Sequence, residues 1–404
     1  MISEKMRPLV ENNSVIRVMF EEGKRLASIY GAENVYDFSL GNPNVPAPAE
    51  VEEAVLETLR EEESTFVHGY MSNAGYEDVR ETIAHSLNER FGTAFGAGNI
   101  LMTVGAASGL NVILKTILDP GQEVVTFAPY FVEYGNYVRN YDGKLVVVPP
   151  NTADFQPDLE ELAKRLTPRT KAVIINTPNN PTGVVYSGKT LKRMAEILRE
   201  KEAEYGHAIV LVSDEPYREL AYDGVEVPYV TKYYADTVVC YSYSKSLSLP
   251  GERIGYLVIP DELQDGRDVF TAAAIANRVL GSVNAPSLMQ RVIKRCIEKG
   301  AAVNLEAYNR NRNRLYEGLK ECGFSCIRPE GAFYLFVKSP VPDEKEFCSR
   351  AAAHNLLLVP GSSFACPGYV RIAYCVSYGQ IERAMPAFEA LAQEYGLGTT
   401  EGRA

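Results

Sequence analysis

Lys245 is the residue best placed for covalent chemistry. It stands in Tyr241-Ser242-Tyr243-Ser244-Lys245, at the end of the apolar run Val238-Val239-Cys240-Tyr241, where a lysine is rarely placed for solvation. A lysine amine can act as nucleophile and proton carrier where burial and nearby positive charge lower its pKa. Arg253 follows eight residues later, in Gly251-Glu252-Arg253-Ile254-Gly255. Two more polar clusters close apolar runs in the same way. Asn176-Thr177-Pro178-Asn179-Asn180-Pro181-Thr182-Gly183 follows Ala172 to Ile175, and Ser213-Asp214-Glu215-Pro216-Tyr217 follows Ile209 to Val212. Gly105-Ala106-Ala107-Ser108-Gly109 lies between the run Ile100 to Val104 and a helical pattern beginning at Leu110. Taken singly, these segments read as a rigid turn, a helix N-cap and a close-packing device.

The elements that must hold them follow from patterning. Between about residues 50 and 285, helical patterns alternate with short β-branched runs, Val124 to Phe127 and Leu145 to Val148 among them. Runs so uniformly apolar are expected to be buried on both faces, which means a mainly parallel sheet covered by helices. Open sheets of this kind hold ligands beyond the carboxyl ends of their strands, where the polar clusters lie. Gly41-Asn42-Pro43-Asn44-Val45-Pro46-Ala47-Pro48 is too rich in proline for a helix or central strand and reads as an extended linker. Before it, Val15, Ile16, Met19, Phe20 and Leu26 keep helical spacing as far as Gly31. After Pro286 a helical periodicity runs to Lys320, with Gly323 as its stop. Strand-like pieces at Phe333 to Val337 and Val370 to Ala373, then a helix from about Gln380 to Tyr395, make an α+β pattern. The expected division is an N-terminal arm and part of a small domain over 1–48, a large domain over 49–289, and the rest of the small domain over 290–404. The Gly- and Thr-rich tail from Gly396 to Ala404 is expected to fray.

Composition bounds the function. The 404 residues are 46% hydrophobic and 23% charged, within the globular range, and the net charge of −11 argues against nucleic acid or an anionic membrane as partner. There is no run of 18 apolar residues and no secretory pattern at the N-terminus, so no membrane span or export is expected. Seven cysteines, an odd number without a repeating framework, fit a reducing compartment, and the cytoplasm is the expected location. Cys322 and Cys326 lack a second ligand pair, so no metal is expected. Twenty-five tyrosines and no tryptophan put most aromatic surface on side chains with a hydroxyl.

The set Asn180-Pro181-Thr182-Gly183, Asp214 with Tyr217, Ser242 with Lys245, and Arg253 resembles the pyridoxal-phosphate (PLP) enzymes of fold type I, specifically the aspartate aminotransferase-like class I/II aminotransferases, over nearly the whole chain. The resemblance implies a seven-stranded-type sheet between helices, a smaller α+β domain from both chain ends, and PLP as cofactor. Lys245 would link to the PLP aldehyde and then carry the proton between substrate and cofactor. Asp214 would pair with the pyridine nitrogen, and Tyr217 and Asn180 with the phenolic oxygen. Ala106 and Ala107, in the turn opened by Gly105, would offer N–H groups to the phosphate, with Ser242 and Arg253 beside them. Tyr70, in Gly69-Tyr70-Met71-Ser72-Asn73-Ala74-Gly75, would reach the phosphate of a neighbouring subunit, which implies a homodimer. Phe131 would stack on the ring where several relatives use tryptophan, with Tyr130 as its neighbour. Arg371, in Val370-Arg371-Ile372-Ala373, would grip the substrate carboxylate bidentately, against an ordinary reading as a surface strand charge. Asn180 would also meet the substrate, and Gly41 would let the linker backbone approach it.

The implied reaction is amino-group transfer from an L-amino acid, aspartate favoured, to a 2-oxo acid such as 2-oxoglutarate, by a ping-pong route through pyridoxamine phosphate, as in amino-acid biosynthesis. The turn reads Gly105-Ala106-Ala107 where some aspartate-specific relatives carry a lysine, so no partner for a distal carboxylate is visible; Arg278 and His68 carry no secure assignment. A β-eliminating C–S lyase or related synthase on the same scaffold shares Lys245, Asp214 and Arg253, so these residues leave the two enzyme classes open. A PLP-sensing regulator would need a DNA-binding extension, and no basic recognition helix precedes the Gly41 linker.

Overall fold

The computed structural model describes residues 1–11 and 15–398. Its centre is a seven-stranded sheet with Ile100–Thr103, Gly255–Val258, Thr237–Ser242, Val210–Asp214, Thr170–Asn176, Glu123–Phe127 and Lys144–Val148 side by side in that order. Gly255–Val258 runs antiparallel to both neighbours, and the other pairs are parallel. Alternate residues of each central strand serve opposite faces. Val238 and Cys240 meet Leu110, Ile113 and Ala273 on one side, whereas Val239 and Tyr241 meet Ile83, Val292 and Ile293 on the other. Ala172 and Ile174 divide from Val173 and Ile175 in the same manner. With helices over both faces, such strands have no polar side to show, hence their continuous apolar text. The edge strand departs from the expectation of full burial. Leu145, Val146 and Val147 are only half-buried, because one flank of Lys144–Val148 has no neighbouring strand in the sheet.

A second core is built from both chain ends. Val359–Pro360, Tyr369–Ala373, Tyr334–Lys338 and Ser325–Cys326 form an antiparallel sheet in that order. Its side chains pack with Tyr308, Leu315, Phe347, Ile381 and Phe388 of the surrounding helices. Tyr36–Asp37 pairs in parallel with Leu356–Leu357, and Phe38 is fully buried in this core. The N-terminal helix spans Val15–Tyr30, where Leu26 packs on Val35 and Leu357; the side chains of Val15, Ile16 and Phe20 lie outside the described residues. Of the tail, 399–404 also lie outside them, and Leu397 is docked on the second core.

The periodicity after Pro286 belongs to two helices rather than one. Ser287–Glu298 buries Met289, Val292 and Ile293 with Val51, Ala54 and Ile83 against the large sheet, while Leu305–Glu321 joins the second core. Gly300, at φ +68°, lies in the break between them, and Gly323, at φ +90°, follows the second helix. The apolar stripe continues through the break because each helix faces its own core.

Candidate active site

Three parallel strands end at one edge of the sheet and bring the candidate residues together there. Asp214 is the last residue of Val210–Asp214, Ser242 the last of Thr237–Ser242, and Asn180 lies in the loop after Thr170–Asn176. Asn176 fixes this edge: its Nδ2 donates to the Asp214 carbonyl at 2.8 Å and its Oδ1 accepts from the Asn180 N–H at 2.7 Å. Ser242 caps the single-turn helix Tyr243–Ser246, its Oγ accepting from the Ser244 N–H at 3.2 Å, and this turn presents Lys245. These residues line one cavity of about 290 Å³ together with Gly41, Ala106, Ala107, Phe131, Tyr217, Arg253, Tyr334 and Arg371.

Two groups in the cavity are held away from their ordinary ionisation. Burial lowers Lys245 to about 8, helped by Arg253 and Arg371 and opposed by Cys375. Its Nζ donates to the Gly41 carbonyl at 2.7 Å. Burial raises Asp214 to about 7, Glu215 adds to the rise, and a hydrogen bond from Tyr134 opposes it. That bond runs from the Tyr134 hydroxyl to Asp214 Oδ2 at 2.6 Å, and Asp214 Oδ1 is buried without a partner.

Arg371 is no surface charge. It is 2% exposed, with Nη1 donating to Asn180 Oδ1 at 3.0 Å and Nη2 to the Ser39 carbonyl at 2.6 Å, and its guanidinium lies over the rings of Tyr334 and Phe364. Because Asn180 turns its oxygen to Arg371, its amide Nδ2 remains as the donor. The turn at Gly105 also differs from the expected boundary. The helix begins at Gly105 itself, not at Leu110, so Ala106 and Ala107 sit in its first turn with their N–H groups free of intrahelical partners. Gly105 adopts φ +75°, a left-handed conformation that favours glycine, and the Arg253 Nη2 lies 2.8 Å from where a Cβ would stand, so the guanidinium reaches close over the helix start. Arg253 Nη1 donates to the Pro250 carbonyl at 2.9 Å.

Tyr70 is not gathered into this cavity: it is 93% exposed. Conversely, sequence reasoning missed Tyr134 and Tyr334. Tyr134 lies three residues after Phe131, one helical turn on, and its ring packs edge-on to Phe131. Tyr334 gave no signal, since it looks like one more aromatic in a buried strand.

The residues present fit PLP. The unpartnered, buried Asp214 Oδ1 is an acceptor waiting for a ring N–H. The helix start under Arg253, beside Ser242, offers N–H groups and a cation to a phosphate. Lys245 is an amine that loses its proton near neutral pH.

Known proteins resemble this chain over most of its length. The family described as aminotransferase class I and II matches residues 33–388. The aspartate/prephenate aminotransferase of Thermus thermophilus is 32% identical over 358 residues, covering 86% of this chain and 88% of that protein. The aspartate aminotransferase of Thermotoga maritima is 31% identical over 380 residues, 93% and 96% of the two chains. An aminotransferase structure from Eubacterium rectale superimposes with a TM-score of 0.95 at 47% identity, covering 98% and 99%. These relatives are transaminases, which favours transfer over the eliminating lyase that the sequence left open. The chain therefore belongs to the class I and II aminotransferase family and is a PLP-dependent transaminase of fold type I.

Proposed function

We propose that this transaminase takes aspartate as amino donor and a 2-oxo acid such as 2-oxoglutarate as acceptor, in cytoplasmic amino-acid biosynthesis. The observation that carries the site reading is Lys245, buried with its amine lowered to about 8, in one cavity with Asp214 and Arg371. PLP bound there supplies the electron sink that weakens the substrate's Cα–H bond. Lys245 moves the proton at Cα, its neutral amine being the active base. Asp214 would hold the ring N–H in its charged form, and Tyr217 with the free amide of Asn180 would donate to the phenolic oxygen. Phe131 would cover the ring. Gly105, Ala106 and Ala107 would hold the phosphate with Ser242 and Arg253. Arg371, steadied by Asn180, receives the substrate carboxylate, and Gly41 brings the linker backbone close to it.

The aspartate assignment draws on the names of the relatives. The cavity's cations, Lys245, Arg253 and Arg371, are all engaged in these roles, so a distal carboxylate must find its cation elsewhere. A second subunit is the natural source. Exposed Tyr70 sits on a loop that Asn73 and Asn284 tie to the turn bearing Val283, and Val279, Leu280 and Val283 are exposed there. We read this face as covered in a homodimer that carries Tyr70 to the partner's phosphate. The domain division near 48 belongs to the same reading, whereas the boundary expected at 289 would cut the helix Ser287–Glu298 that packs on the large sheet's helices, so the division moves to the break at Gly300. An odd count of seven cysteines without a repeating framework supports the reducing compartment.

The test is a stopped-flow panel of amino acids with and without 2-oxoglutarate, following the holoenzyme's visible absorbance. Aspartate should discharge the band and 2-oxoglutarate restore it. An inert aspartate beside a reactive aromatic donor would overturn the donor, and pyruvate with ammonia released without an acceptor would overturn transfer.

A further inference from the structure

We propose that Tyr334 is a positioning residue for the reaction, its hydroxyl orienting Tyr217 and its ring seating Arg371. Tyr334 opens the strand Tyr334–Lys338, is 2% exposed and lines the cavity. Its hydroxyl lies 2.9 Å from that of Tyr217, and its ring lies 4.5 Å beneath the Arg371 guanidinium. The same hydroxyl fills the space a side chain on Gly41 would need, so the absence of a Cβ there admits Tyr334 and leaves the Gly41 carbonyl to Lys245. One side chain thus touches the groups serving cofactor, substrate carboxylate and linker.

Proton bookkeeping sets the direction. Each phenol has one proton to donate, and burial pushes Tyr334 up to about 12, so it keeps its own. If Tyr217 donates to the cofactor's phenolic oxygen, Tyr334 must donate to Tyr217. A hydroxyl whose oxygen accepts a hydrogen bond is itself a stronger donor. Tyr334 therefore strengthens the bond that Tyr217 makes. This rests on the reading that Tyr217 faces the phenolic oxygen.

The test is the pH titration of the holoenzyme's visible band. A weaker donor leaves more negative charge on the phenolic oxygen, which holds the proton on the Lys245 nitrogen more tightly, so the titration moves upward. Tyr334→Phe should raise it by about half a unit, part of the worth of one neutral hydrogen bond. Tyr217→Phe should raise it further, and the double variant should match Tyr217→Phe alone. A Tyr334→Phe titration equal to the parent's, or an added shift in the Tyr217→Phe background, would overturn the hydroxyl's role. If Tyr217→Phe leaves the titration unmoved, the reading of Tyr217 itself fails and the proposal with it. The ring is tested separately: Tyr334→Leu should raise KM for the amino donor about tenfold above Tyr334→Phe, and equal KM values would remove Arg371 from the argument. A structural role alone would lower the melting temperature in both variants without moving the titration.

Discussion

Asp214→Asn should stabilise the cofactor-free enzyme at alkaline pH while disabling the holoenzyme. Burial holds the carboxyl's proton to about pH 7, whereas in the unfolded chain it leaves near 3.8. Between those values the native state binds the extra proton, so stability falls as pH rises through the window and stays reduced above it. The full displacement, about 3 units, is roughly 4 kcal/mol. Asparagine keeps the shape but does not titrate, so its advantage over aspartate should grow by about 3 kcal/mol between pH 5 and pH 8.5; any constant offset from the amide drops out of that difference. Urea unfolding of PLP-stripped protein at the two pH values measures it, followed by circular dichroism because the chain has no tryptophan. With PLP restored, the parent's carboxylate gains a charged ring N–H opposite Oδ1 and should become the more stable of the two. A variant-minus-parent difference that is the same at both pH values would refute the reasoning, because Asp214 would then titrate alike folded and unfolded.

Capture of PLP by stripped enzyme requires the neutral Lys245 amine, so its rate should climb about tenfold per pH unit below 8 and level off above it; mixing experiments across pH 6 to 9.5 that place the bend near 10 would contradict the burial argument. Arg218, 3% exposed, pairs with Glu215 at 3.0 Å and Glu219 at 3.3 Å, donates to the Tyr256 hydroxyl and lies 4.2 Å over the Tyr241 ring. Arg218→Ala should lower stability by about 3–5 kcal/mol, since Glu215 stays buried without its cation; an unchanged urea midpoint would show that the pair contributes nothing.

Much of the site was legible because strand ends and polar clusters are both written locally. A parallel strand buried on two faces has to be apolar throughout, and whatever functional residue it delivers has to follow at its carboxyl end. Asp214, Ser242 with Lys245, and Asn180 were therefore visible as interruptions in the apolar text. Helix ends were less legible. The start at Gly105 lies upstream of the first apolar periodicity at Leu110, and the break at Gly300 is hidden because the helices on either side face different cores.

The chain text alone marked the mainly parallel sheet, the small-residue turn at Gly105 and the lysine beyond a buried strand, because each depends on residues adjacent in sequence. Tertiary structure alone decided how charge is set among them. Lys245 loses proton affinity because it is enclosed, and Asp214 gains it for the same reason, with one oxygen held by Tyr134 and the other left open. Arg371 and Asn180 are 191 residues apart and Tyr217 and Tyr334 are 117 apart, yet each pair shares a hydrogen bond. Enclosure and long-range pairing come from packing two cores against each other, which no local pattern records.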